Sequence, residues 1–156
     1  MSLFNIDLKR GIEIEEIWFN ILNKTIPDLI HVKGKVKEWD LYSKEKDIGI
    51  EIKFDPKSEE TGNIVVEIEM GGKLSGLSTT KAKYWIFDTG EEYFITRVTD
   101  LKTLVKQYKP ATFTGPGDYH SKKAYLIRKQ RIREISITLE DMLDEINNPK
   151  GLDGFC

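Results

Sequence analysis

The sequence predicts an α/β sandwich built around a mixed β-sheet. An N-terminal stretch with apolar residues at helical spacing is followed by several runs of period-two alternation, and helical stretches return after them. Composition agrees: 156 residues, 39% apolar and 32% charged, fit one compact fold with a real core, so residues 1–156 are read as a single domain.

Taken in order, Ile14, Ile17, Trp18, Ile21 and Leu22 predict an amphipathic helix from about residue 7 to 23, stopped by Pro27. From Ile30 to about Asp55 the period changes to two, with Val36, Trp39 and Leu41 followed by Ile48, Ile50, Ile52 and Phe54. Lys44-Glu45-Lys46-Asp47 is the polar connection, so Val36–Ser43 and Ile48–Asp55 are expected to pair as an antiparallel hairpin. Pro56–Gly62 reads as a polar loop. Asn63–Met70 then alternates Ile64, Val66 and Ile68 against Val65, Glu67 and Glu69 before the breaker Gly71-Gly72. Lys83–Asp88 and Glu92–Arg97 flank Thr89-Gly90-Glu91 as a second hairpin. Leu101, Leu104, Val105 and Tyr108 give a helix capped by Thr99 or Asp100 and ended by Pro110. A Gly/Pro-rich loop over 110–122, a short apolar run at Ala124–Ile127 and a capped helix over Thr138–Ile146 complete the pattern. Residues 147–156 are expected to fray.

Composition also excludes function classes. Charge breaks every apolar stretch within about ten residues, so no segment is expected to span a bilayer, and no secretory signal is read at the start. A soluble cytoplasmic protein with no membrane partner is the expectation. One cysteine, Cys156, and two histidines, His31 and His120, rule out a disulfide framework and a Cys/His zinc site. Any metal must be a hard cation on oxygen ligands. The net charge of −2 counts against nucleic acid as a partner, since phosphate binding is mostly electrostatic. Local clusters soften this: Lys33, Lys35 and Lys37 alternate, and Lys122, Lys123, Arg128, Lys129, Arg131 and Arg133 crowd one stretch.

The chemistry is expected at Asp40 and Glu51-Ile52-Lys53. Residues two apart on a strand share a face, so Glu51 and Lys53 project together, and the hairpin brings Asp40 near Glu51. Two carboxylates held close invite a divalent cation with octahedral oxygen coordination, the geometry Mg²⁺ prefers. Such an ion lowers the pKa of bound water and stabilises the charge that develops on a phosphodiester, while a lysine can orient the water or neutralise the phosphate. Acid-x-Lys triplets are cheap in a chain this charged; Asp7-x-Lys9, Asp55-x-Lys57 and Asp100-x-Lys102 are others. What separates Glu51-Ile52-Lys53 is its apolar strand, where an unpaired charge is costly. The competing reading has Ile48, Ile50, Ile52 and Phe54 facing the core while Glu51 and Lys53 form an ordinary ion pair in water.

The order of an N-terminal helix carrying Glu, then Asp40, then Glu51-Ile52-Lys53 after a short hairpin resembles the PD-(D/E)XK nuclease superfamily, which includes restriction endonucleases and Holliday-junction resolvases. Thr61–Glu67 and Ser75–Trp85 are similar to uncharacterised phage-type members, and the likeness spans about residues 9–97. The resemblance implies a restriction-endonuclease-like three-layer α-β-α sandwich with a central mixed sheet of at least four strands. It implies Mg²⁺-dependent cleavage of DNA, with Mn²⁺ as substitute, in a bacterial or phage-infected cell. Carried over, Asp40 and Glu51 are the metal ligands and Lys53 the catalytic lysine. The Pro of the motif is absent, Trp39 standing before Asp40. Gly11-Ile12-Glu13-Ile14-Glu15 resembles the resolvase-like helix in which a Glu follows a Gly by four residues, which selects Glu15 as a further catalytic acid. On a helical wheel Glu15 lies beside the Ile14/Trp18/Leu22 stripe and Glu16 points away, although both also suit a solvated face. Glu67 is the additional acid the resemblance suggests on the third strand, against the plainer reading of an outward-facing residue. Homodimerisation is common among similar nucleases and would let two sites cut two strands.

Other signals were weighed against this one. Ser78-Thr79-Thr80-Lys81 matches a Ser-x-x-Lys pattern but lacks the partner motifs of serine acyl-enzymes. It is better suited to a helix N-terminus where Ser78, Thr80 and Lys81 hold a DNA phosphate. Lys122, Lys123 and Arg128 either track a phosphate backbone or form the solvated side of an amphipathic segment. Asp118-Tyr119-His120 could touch substrate, but a surface loop is the safer reading. Two functions follow: a metal-dependent deoxyribonuclease, or a catalytically weak module of the same fold that binds nucleic acid or a protein partner.

Overall fold

The computed structural model describes residues 3–34, 37–114 and 121–149. Lys35, Val36, Asp118, Tyr119, His120 and Cys156, all named in the sequence reading, lie outside the described residues, as does the tail beyond residue 149. The protein is mixed α/β, with a six-stranded mixed sheet and a four-stranded antiparallel sheet.

Helix α1 (Leu3–Asn23) starts earlier than expected. It places Trp18 and Leu22 against the first sheet, with Ile14 packed beside them. That sheet runs β1 (Ile30–His31), β2 (Leu41–Ser43), β3 (Ile48–Phe54), β6 (Tyr84–Asp88), β7 (Tyr93–Arg97) and β10 (Ser136–Ile137) in spatial order. The expected hairpin exists, with Leu41 opposite Ile50 and Ser43 opposite Ile48. Its first strand is much shorter than the expected Val36–Ser43, because Lys37, Glu38 and Trp39 leave strand geometry before Asp40. Strand β3 pairs parallel with β6, and every other neighbour pair in this sheet is antiparallel.

The second sheet runs β5 (Lys73–Leu74), β4 (Asn63–Met70), β9 (Lys122–Arg128) and β8 (Ala111–Phe113). Pairing of β4 with the distant β9 slips between Glu67 and Glu69, a bulge that bends the strand locally. The apolar run at Ala124–Ile127 thus becomes the centre of a longer strand, and β8, β10 and two further helices appear where no element was expected. Those helices are the single turn α2 (Ser58–Thr61) and α4 (Lys129–Ile135). Helix α3 (Val98–Val105) begins ahead of the expected caps: Asp100 lies in its first turn and bonds Arg97. The capped helix predicted at the end is α5 (Leu139–Asn147), where the Thr138 hydroxyl accepts from the Asp141 N–H at 3.0 Å.

Two cores result, one on each face of the first sheet. Ile48, Ile50, Ile52, Tyr84, Ile86 and Ile95 meet Trp18 and Leu22 of α1 and Met142 and Ile146 of α5. On the other face Trp85, Phe87 and Phe94 meet Ile64, Val66 and Ile127 of the second sheet together with α3 and Ile132 of α4. Helices therefore lie on both sides, and on the second side they share the layer with a sheet. At about 25 cal/mol per Å² of buried apolar surface, each fully enclosed large side chain contributes about 2–3 kcal/mol. Among the described residues no helix is long and apolar enough to cross a membrane.

Candidate active site

Strand β3 is covered on both faces, and this decides how Glu51 and Lys53 are read. Glu51 sits in register with Trp85 and Lys53 with Phe87, and both aromatic rings are fully buried under the second sheet. Glu51 and Lys53 thus project into a cleft between the two sheets, beside the buried rings of Trp85 and Phe87. The competing reading holds in part, since Glu51 and Lys53 do form an ion pair and the Lys53 side chain is 36% exposed, but the pair borders a cleft and not an open sheet face. The Glu51 side chain is only 20% exposed, its Oε2 is 3.4 Å from the Lys53 ammonium, and that ammonium lies 4.9 Å from the centroid of Trp85.

Asp40 lies beside Glu51 because its backbone continues the hairpin: its N–H donates to the Ile50 carbonyl at 3.1 Å. Asp40 is 4% exposed. Its Oδ2 accepts from the Ile52 N–H at 2.7 Å, and its Oδ1 is 2.5 Å from the Lys37 ammonium. The Asp40 and Glu51 carboxyls are close enough that each bears on the other's proton affinity. Burial pushes Glu51 up to about 8; Lys53 opposes this, while the hydrogen bond and charge of Asp40 add to it. Burial also acts to raise Asp40, but its bonds from Glu51, Lys37 and Ile52 outweigh that and hold it below the usual carboxylate range. Of the two, Glu51 is the carboxyl that holds a proton more readily.

The cleft continues past this pair. Lys37 also donates to Glu15 Oε1 at 3.2 Å, so the first helix reaches the site through a lysine. Glu15 Oε1 in turn lies 2.9 Å from His31 Nε2, and Glu16 Oε1 lies 3.1 Å from His31 Nδ1. On the opposite side Glu67 lines the cleft and its Oε2 accepts from the Ser75 hydroxyl at 2.8 Å. Gly76 packs against the Glu67 backbone so closely that a Cβ there would lie 2.1 Å from the Glu67 carbonyl oxygen, with φ at +53°. The cavity holding His31, Lys37, Asp40, Glu51, Lys53 and Glu67 measures about 770 Å³, and a second of about 260 Å³ extends it towards Thr79, Thr80 and Lys81.

The structure thus brings together Asp40, Glu51, Lys53, Glu15 and Glu67, drawn from α1, the hairpin and β4. Sequence reasoning missed two members. Lys37 was noted only as one of three alternating lysines, and its position three residues before Asp40 gave no sign that it bridges two acids. His31 was considered only as a zinc ligand, yet it orients Glu15 and stacks on Phe19 with ring centroids 6.3 Å apart.

The expected phosphate-binding residues are placed differently. The helix anticipated after the glycines is a single 3-10 turn, Gly76–Ser78. The Ser78 hydroxyl donates to the Ile68 carbonyl, and the Thr80 hydroxyl accepts from the Ala82 N–H and the Trp85 indole, so both hydroxyls serve the fold. Lys81 does line the extension of the cleft, paired with Glu38 at 3.2 Å. Lys122, Lys123 and Arg128 sit along β9 and do not line either cavity; Lys123 lies 3.9 Å from Glu69.

Among the described residues no three His, Cys, Asp or Glu side chains are grouped to hold a metal ion. The Asp40–Glu51 pair nonetheless fits a hard dication. Its donors are oxygens, it is largely shielded from water, and the Glu51 carboxyl is pushed up chiefly by that burial and further by the charge of Asp40, a charge that a dication would offset. A small dication satisfied by two protein ligands takes its remaining positions from water or substrate. Compared with known proteins, the chain matches no family model, no curated protein and no solved structure.

Proposed function

We propose that this protein is a Mg²⁺-dependent deoxyribonuclease, with Mn²⁺ able to substitute, in which Asp40 and Glu51 hold the ion and Lys53 serves the reacting phosphate. The observation that carries the reading is a buried Asp40 beside a largely enclosed Glu51 with the Lys53 ammonium 3.4 Å from it, in a cleft next to the buried rings of Trp85 and Phe87. Clustered acids with a raised proton affinity in a cleft are costly to keep together, which is the pattern expected of a site retained for chemistry.

When bound, the ion would supply an acidified water and electrostatic relief for charge on the scissile phosphate. The protein's own groups do the rest. The Ile52 N–H fixes the Asp40 carboxylate and leaves Oδ1 as the freer oxygen. Lys53, held over Trp85, presents an ammonium 3.4 Å from Glu51, where it can neutralise a phosphate oxygen or orient an attacking water. Glu15, positioned by His31, offers a further carboxylate at the cleft wall, and Glu67 another from the second sheet. Lys81 stands where an adjoining phosphate of the same strand would pass.

The mixed sheet with its acid-bearing hairpin, and a first helix that contributes Glu15, support a restriction-endonuclease-like fold as part of this proposal. A homodimer that cuts both strands of DNA and a cytoplasmic setting complete it. The test is incubation of supercoiled plasmid with Mg²⁺ or Mn²⁺, comparing wild type with Asp40→Ala. Nicking by wild type and a loss of at least about a hundredfold in the variant are expected. Equal nicking by both, or none by either, overturns the assignment.

A further inference from the structure

The oxygen of Asp40 best placed to bind a metal already has a cation on it. Oδ2 accepts from the buried Ile52 N–H, which leaves Oδ1 as the freer oxygen, and Oδ1 is covered by the Lys37 ammonium at 2.5 Å. The same ammonium reaches Glu15 at 3.2 Å, so one positive charge spans two of the carboxylates assigned to the site. Lys37 is 24% exposed at its side chain, and it lines both halves of the cleft. The segment that carries it, Lys37–Trp39, belongs to no strand, and the four-carbon stem of a lysine turns easily where the backbone does not have to move.

Resting on the reading of Asp40 and Glu51 as metal ligands, we propose that Lys37 is a resident counter-cation that holds the divalent-ion position in the metal-free protein. An ammonium and a dication on the same carboxylate oxygen lie only a few ångströms apart and repel each other strongly, so each is bound more weakly while the other is present. Ion binding and the Lys37–Asp40 contact therefore oppose each other. The lysine sets the concentration of divalent ion at which the site fills, and it keeps two clustered acids from repelling each other until then. Its role is distinct from that of Lys53, which contacts Glu51 without touching the freer oxygen of Asp40.

The experiment is calorimetric titration of the full chain with MnCl₂, using wild type, Lys37→Met, Lys37→Arg and Lys37→Met combined with Asp40→Asn. Lys37→Met should bind Mn²⁺ about tenfold or more tightly than wild type, because the competitor is gone. Lys37→Arg, which keeps the charge, should stay near wild type, and the double variant should show no binding. Should the methionine variant misfold from uncompensated repulsion between Asp40 and Glu15, Lys37→Gln keeps a hydrogen-bond donor without the charge and should show the same gain. If wild type binds Mn²⁺ and both uncharged variants bind no more tightly, the competition is overturned while the metal site stands. If no variant binds, both the competition and the metal assignment are overturned.

Discussion

Replacing Glu51 with Gln should make the metal-free protein more stable at neutral and alkaline pH. In the folded chain the Glu51 carboxyl titrates near 8 in place of 4.5, chiefly because it is buried, with Lys53 opposing and Asp40 reinforcing the rise. The folded state therefore holds this proton more tightly than the unfolded state does. The stability linked to Glu51 is complete below pH 4.5 and is lost progressively as pH rises through 8. A tenfold change in proton affinity is worth about 1.4 kcal/mol, which sets a ceiling of about 5 kcal/mol over this window. One fifth of the Glu51 side chain meets solvent and Asp40 titrates in concert with it, so the expected loss is on the order of 2 kcal/mol. The amide of Gln donates to Asp40 as the protonated carboxyl does, yet it does not titrate. Urea denaturation in the presence of a chelator at pH 5, 7 and 9 measures the difference directly. Wild type should fall relative to Glu51→Gln by about that amount between the extremes, and added Mn²⁺ at pH 8 should restore the wild type alone. Parallel curves for the two proteins, or a glutamine variant that is the less stable at pH 9, would refute the argument.

Two further substitutions test the scaffold around the cleft. Gly76→Ala should cost on the order of 3 kcal/mol in chemical denaturation, since its φ is +53° and the new Cβ would sit 2.1 Å from the Glu67 carbonyl; a cost under about 1 kcal/mol would show that the turn can relax. Thr138→Ala should cost about 1 kcal/mol by removing the only side-chain cap seen at an N-terminus among the described helices with caps, and thermal melting reads the loss.

Much of the fold was legible in local pattern. The β2–β3 and β6–β7 hairpins follow from alternation bounded by polar connections, and the cap of α5 from Thr138; of the stripe expected on α1, Ile14, Trp18 and Leu22 face the core while Ile17 and Ile21 are exposed. The elements that escaped are those whose reason to exist lies elsewhere in the chain. Strands β8 and β10 are three and two residues long and are defined by the edges they pair with, β9 and β7, and α4 is a basic stretch whose one fully buried residue, Ile132, reads as noise in sequence.

For the site, the sequence by itself determined the chemistry: two carboxylates and a lysine, brought to one hairpin by the period of a strand. Only the tertiary structure decided what surrounds them. Alternation says which side chains share a face, but it does not say what covers that face. Here the cover is a sheet formed by β4 and the distant β9, which keeps Trp85 and Phe87 dry beside Glu51 and Lys53, holds a proton on Glu51, and leaves Lys37 as the nearest charge able to satisfy Asp40. Covalent spacing is local and can be read along the chain, whereas burial and the electrostatics that depend on it arise from contacts between residues far apart in it.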